Sequence, residues 1–202
     1  MFSLSLDRSS LRRQLRHKRR QLTQQQQQQA AFNACRIIKQ QSWFLNASSL
    51  AIYMAADGEL DPLAIALMAN KMGKKVYLPV LHPLNKKQLI FVRFTPNTPL
   101  IKNCFGILEP RLKGYGLARV NNCQVQAIDL LLLPLVGFDL NGSRLGMGGG
   151  FYDRTLAIKP ASFKRPKLIG LAHECQRVEK LPLEAWDVPL KGIVTPKQVY
   201  SF

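Results

Sequence analysis

The sequence is short of acidic residues. It has 12 Asp and Glu against 29 Lys and Arg, which gives a formal net charge of +17. Such a balance predicts attraction to polyanions: nucleic acid, anionic membrane, or small ligands that carry phosphates and carboxylates. The charge alone does not choose among these partners.

Closely spaced cysteines and long apolar runs are also absent. The four cysteines, Cys35, Cys104, Cys123 and Cys175, contain no C-x-x-C pair, which excludes the usual zinc sites and a disulfide framework. We expect reduced thiols in a cytoplasmic protein. No apolar run approaches the roughly 18 residues of a membrane span, so we expect no membrane partner. The first 20 residues look like an Arg-rich transit peptide but lack the apolar core of a secretory signal.

The apolar residues that are present predict a layered fold. At 202 residues and 47% hydrophobic, the chain is predicted to form a single domain over residues 1–202. Apolar runs alternate with helical segments, which is typical of a three-layer α/β fold with a mostly parallel central sheet and helices on both faces. The predicted strands are Leu50 to Ala55, Lys75 to Val80, Leu89 to Phe94, Ile128 to Asp139, Lys167 to His173 and Gly192 to Pro196.

A basic helix is predicted near the N-terminus, at about residues 10–40. No Gly or Pro occurs between Ser10 and Gln40, and the first leucines are spaced for one apolar stripe. Beside that stripe an arginine recurs every fourth residue, at Arg8, Arg12, Arg16 and Arg20. Such a stripe forms either a solvated helix face or a surface that binds anions.

The segment "RLGMGGGFYDR", Arg144 to Arg154, holds four glycines in five positions. It follows a predicted strand and precedes a predicted helix, so it lies at the carboxyl end of the sheet, where open α/β sheets bind ligands. Bare backbone N–H groups and a helix N-terminus suit a phosphate. The segment matches neither G-x-x-x-x-G-K-[ST] nor G-x-G-x-x-G. A glycine-rich turn without a ligand is the alternative.

Taken with its flanks, "FDLNGSRLGMGGGFYDR", this block resembles the signature of the 5-formyltetrahydrofolate cyclo-ligase family. Three further segments match in order: "RSSLRRQLR", "MAADGELDP" and "EKLPLEAWDVPLKGIVTP", so the resemblance runs from about Arg8 to Pro196. It implies the closure of 5-formyltetrahydrofolate to 5,10-methenyltetrahydrofolate with ATP and Mg²⁺. The γ-phosphoryl group passes to the formyl oxygen, and the folate N10 attacks the resulting iminium phosphate.

The resemblance also implies site residues. Catalytic roles fall on Arg144, Gly148 and Tyr152. The ATP-binding positions are Arg8, Arg12, Arg144, Leu145, Gly146, Met147, Gly148, Gly149, Gly150, Phe151 and Tyr152. The substrate-binding positions are Met54, Glu59, Met147, Gly148, Gly149, Gly150 and Phe151, and the magnesium positions are Asp153 and Asp187. Many relatives carry a basic residue in the glycine block where this chain has Met147 and Gly149.

Each of these assignments has a plainer alternative. Asp153 is also suited to stabilise a helix N-terminus, Asp187 to lie in an ordinary loop, and Met54 to pack in the core. We expect a monomer without a specific nucleic-acid partner. Its folate substrate either carries a polyglutamate tail or lacks one. The rival functions are a basic nucleic-acid-binding protein and an ATP-dependent enzyme that acts on another amide or carboxylate. No RRM, KH or helix-turn-helix signature supports the first of these.

Overall fold

The computed structural model describes residues 7–85, 87–112, 122–157, 166–182, 184 and 187–202. Within these residues, eight strands form the main sheet: β1 (Ser49–Ala51), β2 (Lys75–Leu81), β3 (Leu89–Phe94), β6 (Asn122–Cys123), β7 (Leu130–Pro134), β10 (Lys167–Leu171), β11 (Gly192–Val194) and β12 (Val199–Ser201). Two short hairpins pair β4 (Leu100–Lys102) with β5 (Leu108–Pro110) and β8 (Gly137–Phe138) with β9 (Arg144–Leu145).

The sheet has the order β12-β11-β10-β7-β1-β2-β3-β6. The five central strands, from β11 to β2, are parallel, and the outer strands on both sides are antiparallel to their neighbours. β7 lies in the middle, and its four leucines are fully buried because both faces of the sheet are covered. The carboxyl ends of the parallel strands therefore meet at one edge.

Five helices lie in the described part of the chain: α1 (Arg8–Arg20), α2 (Gln24–Lys39), α3 (Ser42–Leu45), α4 (Leu63–Lys71) and α5 (Phe151–Leu156). α2, α3 and α4 cover one face, where Ile38, Phe44 and Ile65 pack against alternate strand residues such as Leu132. On the other face, Leu131 and Leu133 pack with residues of α5. The predicted α/β fold, with a mostly parallel sheet and helices on both faces, is confirmed.

The N-terminal helix differs from its prediction. The single helix expected at about residues 10–40 is two helices, α1 and α2, separated by a turn. A capping box starts the second one: the Thr23 hydroxyl accepts the Gln26 N–H at 3.2 Å, and the Gln26 side-chain oxygen accepts the Thr23 N–H at 2.8 Å. The chain can therefore change direction without Gly or Pro.

This change of direction gives the two helices different places in the fold. α2 packs on the sheet face, whereas α1 packs through Leu11 and Leu15 on Val136, Leu145 and Leu181, beyond the end of β7. Four predicted strands are also shorter than expected. β1 ends at Ala51, β10 at Leu171 and β11 at Val194, and the run from Ile128 to Asp139 divides into β7 and β8. The segment freed after β1 lines the cavity described below.

Candidate active site

A cavity of about 830 Å³ lies at the carboxyl edge of the sheet. Five parts of the chain surround it: α1, the segment after β1, the hairpin of β4 and β5, the glycine block, and the segment around Asp187. A volume of this size suits a ligand of several hundred daltons, since ligand pockets commonly measure roughly 300–1,000 Å³. The position agrees with the general site of ligand binding in open α/β sheets.

The structure brings nearly all of the predicted site residues to this cavity. Its walls include Arg8, Arg12, Met54, Glu59, Arg144, Gly146, Met147, Gly148, Gly149, Gly150, Phe151, Tyr152, Asp153 and Asp187. Leu145 differs, because its side chain is fully buried against the leucines of α1 and does not line the cavity. Met54 lines the cavity and also packs against the core, so the two alternatives for this residue are compatible.

Three of the four arginines of the α1 stripe line the cavity. Arg8 donates to both carboxylate oxygens of Asp187, at 2.8 and 3.2 Å. One turn later, Arg12 donates to the Gly146 carbonyl at 2.8 Å, and a further turn on, Arg16 donates to Asp57 at 2.7 Å. Burial lowers the pKa of Arg12, with the neighbouring Arg8 adding to the effect. These three arginines thus form a cationic wall of the cavity, whereas Arg20 does not line it and is 54% exposed.

The glycine block forms a tight loop, and two of its glycines have backbone conformations that residues with a side chain rarely adopt. Gly148 has φ of +96° and Gly150 has φ of +63°, the left-handed region that L residues rarely adopt. A Cβ on Gly148 would lie 3.6 Å from the Arg12 guanidinium carbon. Gly150 is the N-cap of α5, so the loop leads directly into a helix.

Two cationic side chains contact the glycines of the block. Arg12 approaches the loop from α1, as described, and Arg154 approaches it from α5. Arg154 donates to the Gly149 carbonyl and to the Lys87 carbonyl, and its guanidinium lies 5.4 Å from the centre of the Phe151 ring. The positive charge at the loop therefore comes from side chains outside its glycines.

Arg144 and Asp153 form an ion pair between β9 and the first turn of α5. Arg144 is buried, whereas Asp153 is partly exposed toward the cavity. Within the described residues, no cluster of three or more side chains suited to a metal is found. Asp153 and Asp187 nevertheless both line the cavity, and Mg²⁺ is commonly held by one or two carboxylates together with substrate phosphates. These two carboxylates therefore fit a metal that is bound together with a nucleotide.

The cavity wall also carries Glu59, Tyr53 and Tyr152. One Glu59 oxygen accepts the Ala56 N–H at 3.0 Å, and burial raises the pKa of its carboxyl. Burial, with the nearby Glu59 charge adding to it, also raises the pKa of Tyr152 far above neutrality. The Tyr152 phenol is therefore protonated at neutral pH and can donate a hydrogen bond to a ligand.

Comparison with known proteins agrees with this geometry. The model of the "5-formyltetrahydrofolate cyclo-ligase family" matches residues 5–196. The chain belongs to the 5-formyltetrahydrofolate cyclo-ligase family. A 5-formyltetrahydrofolate cyclo-ligase of Haemophilus influenzae is 43% identical over 191 residues, which cover 93% of this chain and 96% of that protein. Its counterpart in Escherichia coli K12 is 40% identical over 188 residues, covering 93% of this chain and 100% of the relative.

A solved structure shares the fold of this cyclo-ligase family member. The NMR structure of Aquifex aeolicus 5,10-methenyltetrahydrofolate synthetase superimposes with a TM-score of 0.80 at 29% identity, covering 96% of this chain and 92% of the other. The similarity thus extends over the whole sheet and both of its helical layers.

Several cavity residues were not predicted from the sequence. The hairpin of β4 and β5 contributes Phe105, whose ring meets the Phe151 ring edge-on with 5.8 Å between centroids. Asp57, which also lines the cavity, was missed, although the acidic "DGELD" directly after a strand was a signal for it. Arg19 was missed as well; it does not line the cavity but donates to Asp57. Arg19 lies outside the four-residue spacing of the stripe, and its contacts are distant in sequence.

Proposed function

We propose that this cavity holds ATP and 5-formyltetrahydrofolate side by side. As a 5-formyltetrahydrofolate cyclo-ligase, the chain converts 5-formyltetrahydrofolate to 5,10-methenyltetrahydrofolate, while ATP becomes ADP and phosphate. The observation that supports this site is the convergence of three distant segments on one cavity: the arginines of α1, the glycine block and Glu59. They supply a cationic wall, a bare backbone loop and a carboxylate.

The ATP phosphates are assigned to the cationic side. Arg8, Arg12 and Arg144 stand around the glycine block, whose backbone N–H groups and following helix N-terminus favour negative charge. As the γ-phosphoryl group moves to the formyl oxygen, charge spreads over its oxygens, and donors fixed in advance stabilise that charge. The magnesium ion, held by Asp153 and Asp187, would neutralise phosphate charge in the same place.

The folate is assigned to the side of Glu59, Met54 and Tyr152. A carboxylate can accept hydrogen bonds from the N–H groups of a pterin, and the methionine and the aromatic rings supply apolar contact. The attacking N10 belongs to the substrate, so the protein supplies alignment and no nucleophile of its own. Tyr152, protonated at neutral pH, lies next to the glycine block and can donate to the oxygen that leaves with the phosphate.

The cellular location and the oligomeric state of the enzyme are also part of this proposal. The free thiols of the described residues suit a cytoplasmic enzyme, and we propose that it works there as a monomer without a specific nucleic-acid partner. No helix in the described ranges is long and apolar enough to cross a membrane. The net charge of +17 is compatible with a folate that carries a polyglutamate tail and with one that lacks it.

The test is the absorbance of methenyltetrahydrofolate in the near ultraviolet after mixing protein with 5-formyltetrahydrofolate. We expect a rise that requires both ATP and Mg²⁺. Arg12→Ala should raise the KM for ATP while the KM for the folate stays near its original value, whereas Glu59→Gln should do the reverse. Equal effects of both variants on both substrates would contradict the division of the cavity into two sides.

A further inference from the structure

Arg19 is an arginine with no exposed surface. Its side chain is 0% exposed, although it belongs to the basic helix α1 and stands between the exposed Lys18 and Arg20 in the sequence. Burying a guanidinium without partners is strongly unfavourable, so each of its N–H groups must find an acceptor. The identity of those acceptors indicates what the residue does.

The Arg19 guanidinium connects three parts of the cavity wall. Its Nε donates to the Asp57 carbonyl at 2.8 Å, one terminal nitrogen donates to the Leu135 carbonyl at 3.1 Å, and the other donates to the Asp57 carboxylate at 2.8 Å. That last nitrogen also lies 3.6 Å from Glu59 Oε1 and 3.9 Å from the Met147 sulfur. The turn after β1, the end of β7 and the glycine block thus meet at one side chain.

The two carboxylates beside Arg19 depend on it to different degrees. Asp57 pairs with Arg16 and Arg20 as well as with Arg19, so loss of Arg19 leaves it two cations. Glu59 differs: within the described part of the chain, Arg19 is its ion-pair partner, and its side chain is only 10% exposed. The other Glu59 oxygen is held by the Ala56 N–H.

We infer that Arg19 is a positioning residue for the folate side of the cavity, and that it acts by keeping the Glu59 carboxylate oriented toward the ligand. This inference rests on the proposed contact of Glu59 with the folate. Arg19 itself does not line the cavity, so it touches neither substrate. Arg8 and Arg12 reach the ATP side from the same helix, so Arg19 gives α1 a second connection, to the folate side.

The first test compares Arg19→Lys with Arg20→Lys. Lysine keeps the charge but cannot make the three directed contacts to Asp57 and Leu135, so the cation loses its fixed position beside Glu59. For Arg19→Lys we expect the KM for 5-formyltetrahydrofolate to rise about tenfold, with kcat and the KM for ATP within about twofold of the original. Arg20 pairs with the same Asp57 but is 54% exposed and has no contact with Glu59, so Arg20→Lys should leave all three constants within about twofold.

A double-mutant cycle separates positioning from a general structural role. If Arg19 acts through Glu59, adding Arg19→Lys to Glu59→Gln should change the folate KM by less than about twofold. A tenfold further rise in the double variant would overturn the inference, as would equal rises in the KM values of both substrates. If Glu59→Gln alone leaves the folate KM unchanged, the proposed folate contact fails instead.

A second substitution of the same residue keeps the inference testable if Arg19→Lys does not fold. Arg19→Gln removes the charge beside Glu59 and retains an amide that can donate to a backbone carbonyl such as that of Leu135. We expect the folate KM of folded Arg19→Gln, verified by circular dichroism, to rise about tenfold while the KM for ATP stays within about twofold of the original. A folate KM within about twofold of the original would overturn the inference.

Discussion

At the scale of single residues, the burial of His173 predicts how the stability of the fold depends on pH. Its ring is 3% exposed at the end of β10, and burial lowers its pKa to about 4 from the 6.5 of an exposed imidazole. A base whose folded pKa is lowered favours the neutral form in the folded state. Its contribution to stability is therefore complete above pH 6.5 and is lost as the pH falls toward 4, because the unfolded chain binds the proton first.

We predict that His173→Gln flattens the pH dependence of unfolding. Between pH 7 and pH 5, the original protein should lose about 2 kcal/mol more of its free energy of unfolding than the variant loses. Urea unfolding at several pH values measures both curves under the same conditions, so the titration of other groups cancels in their difference. Parallel curves would show that the imidazole titrates normally in the folded protein.

The backbone conformation of Gly148 leads to a prediction about the free energy of unfolding. Because its φ is +96°, alanine in its place would adopt a strained conformation beside the Arg12 guanidinium. Gly148→Ala should lower the free energy of unfolding by about 1–2 kcal/mol. Gly146→Ala is the matched control in the same loop, since its φ is not in the left-handed region and a Cβ there meets no atom within 4 Å. Equal losses in the two variants would contradict the assignment of strain to φ.

At the scale of elements, the break between α1 and α2 rests on a few hydrogen bonds. Thr23→Ala removes the hydroxyl that accepts the Gln26 N–H, and we expect the free energy of unfolding to fall by about 1 kcal/mol. Thr23→Ser retains an equivalent hydroxyl and should lose less than half as much. Urea unfolding of the three proteins measures the difference. If serine and alanine were equally destabilising, the capping box would not hold the break.

The same break shows what could be predicted about elements from the sequence. The six predicted strands overlap strands of the main sheet, because apolar runs bounded by Gly and Pro are strong local signals. The short strands β4, β5, β6 and β12 were not predicted. The division of the N-terminal helix was missed, although Thr23 and Gln26 have the spacing of a capping box. The glutamines from Gln24 to Gln29 all favour a helix, so the pattern predicts one continuous helix although the Thr23 hydroxyl can start a new one.

At the scale of the whole molecule, the candidate site was predictable where one segment holds several of its residues. The glycine block gave Arg144, Phe151 and Asp153 together, and all three line the cavity. Arg19 and Asp57 could not be found in this way, since their pairing joins positions 38 residues apart and depends on how α1 crosses the sheet edge. Phe105 was missed for the same reason, because only the fold places its hairpin over the glycine block.

In the cavity, cationic side chains form ion pairs with carboxylates. Arg8 is paired with Asp187, and Arg144 is paired with Asp153. Two of the three candidate phosphate-binding arginines are thus paired with the candidate magnesium carboxylates, whereas Arg12 donates to the Gly146 carbonyl. ATP without a metal would have to draw the arginines away and leave these carboxylates unpaired beside its phosphates. If Mg²⁺ binds as proposed, the carboxylates would gain a cation as they lose the arginines, so metal and nucleotide should strengthen each other's binding.

Asp187→Asn tests this exchange. The variant frees Arg8 without adding negative charge, so its affinity for ATP in excess EDTA should rise about fivefold to tenfold, and the gain in affinity from Mg²⁺ should shrink. Titration calorimetry measures ATP binding with and without the metal. Glu184→Gln is the control, because Glu184 also lines the cavity but has no ion-pair partner within 4.0 Å among the described residues. If Glu184→Gln strengthens metal-free ATP binding as much as Asp187→Asn does, general repulsion in the cavity is the cause. If Asp187→Asn weakens metal-free ATP binding, the proposed exchange of partners is wrong.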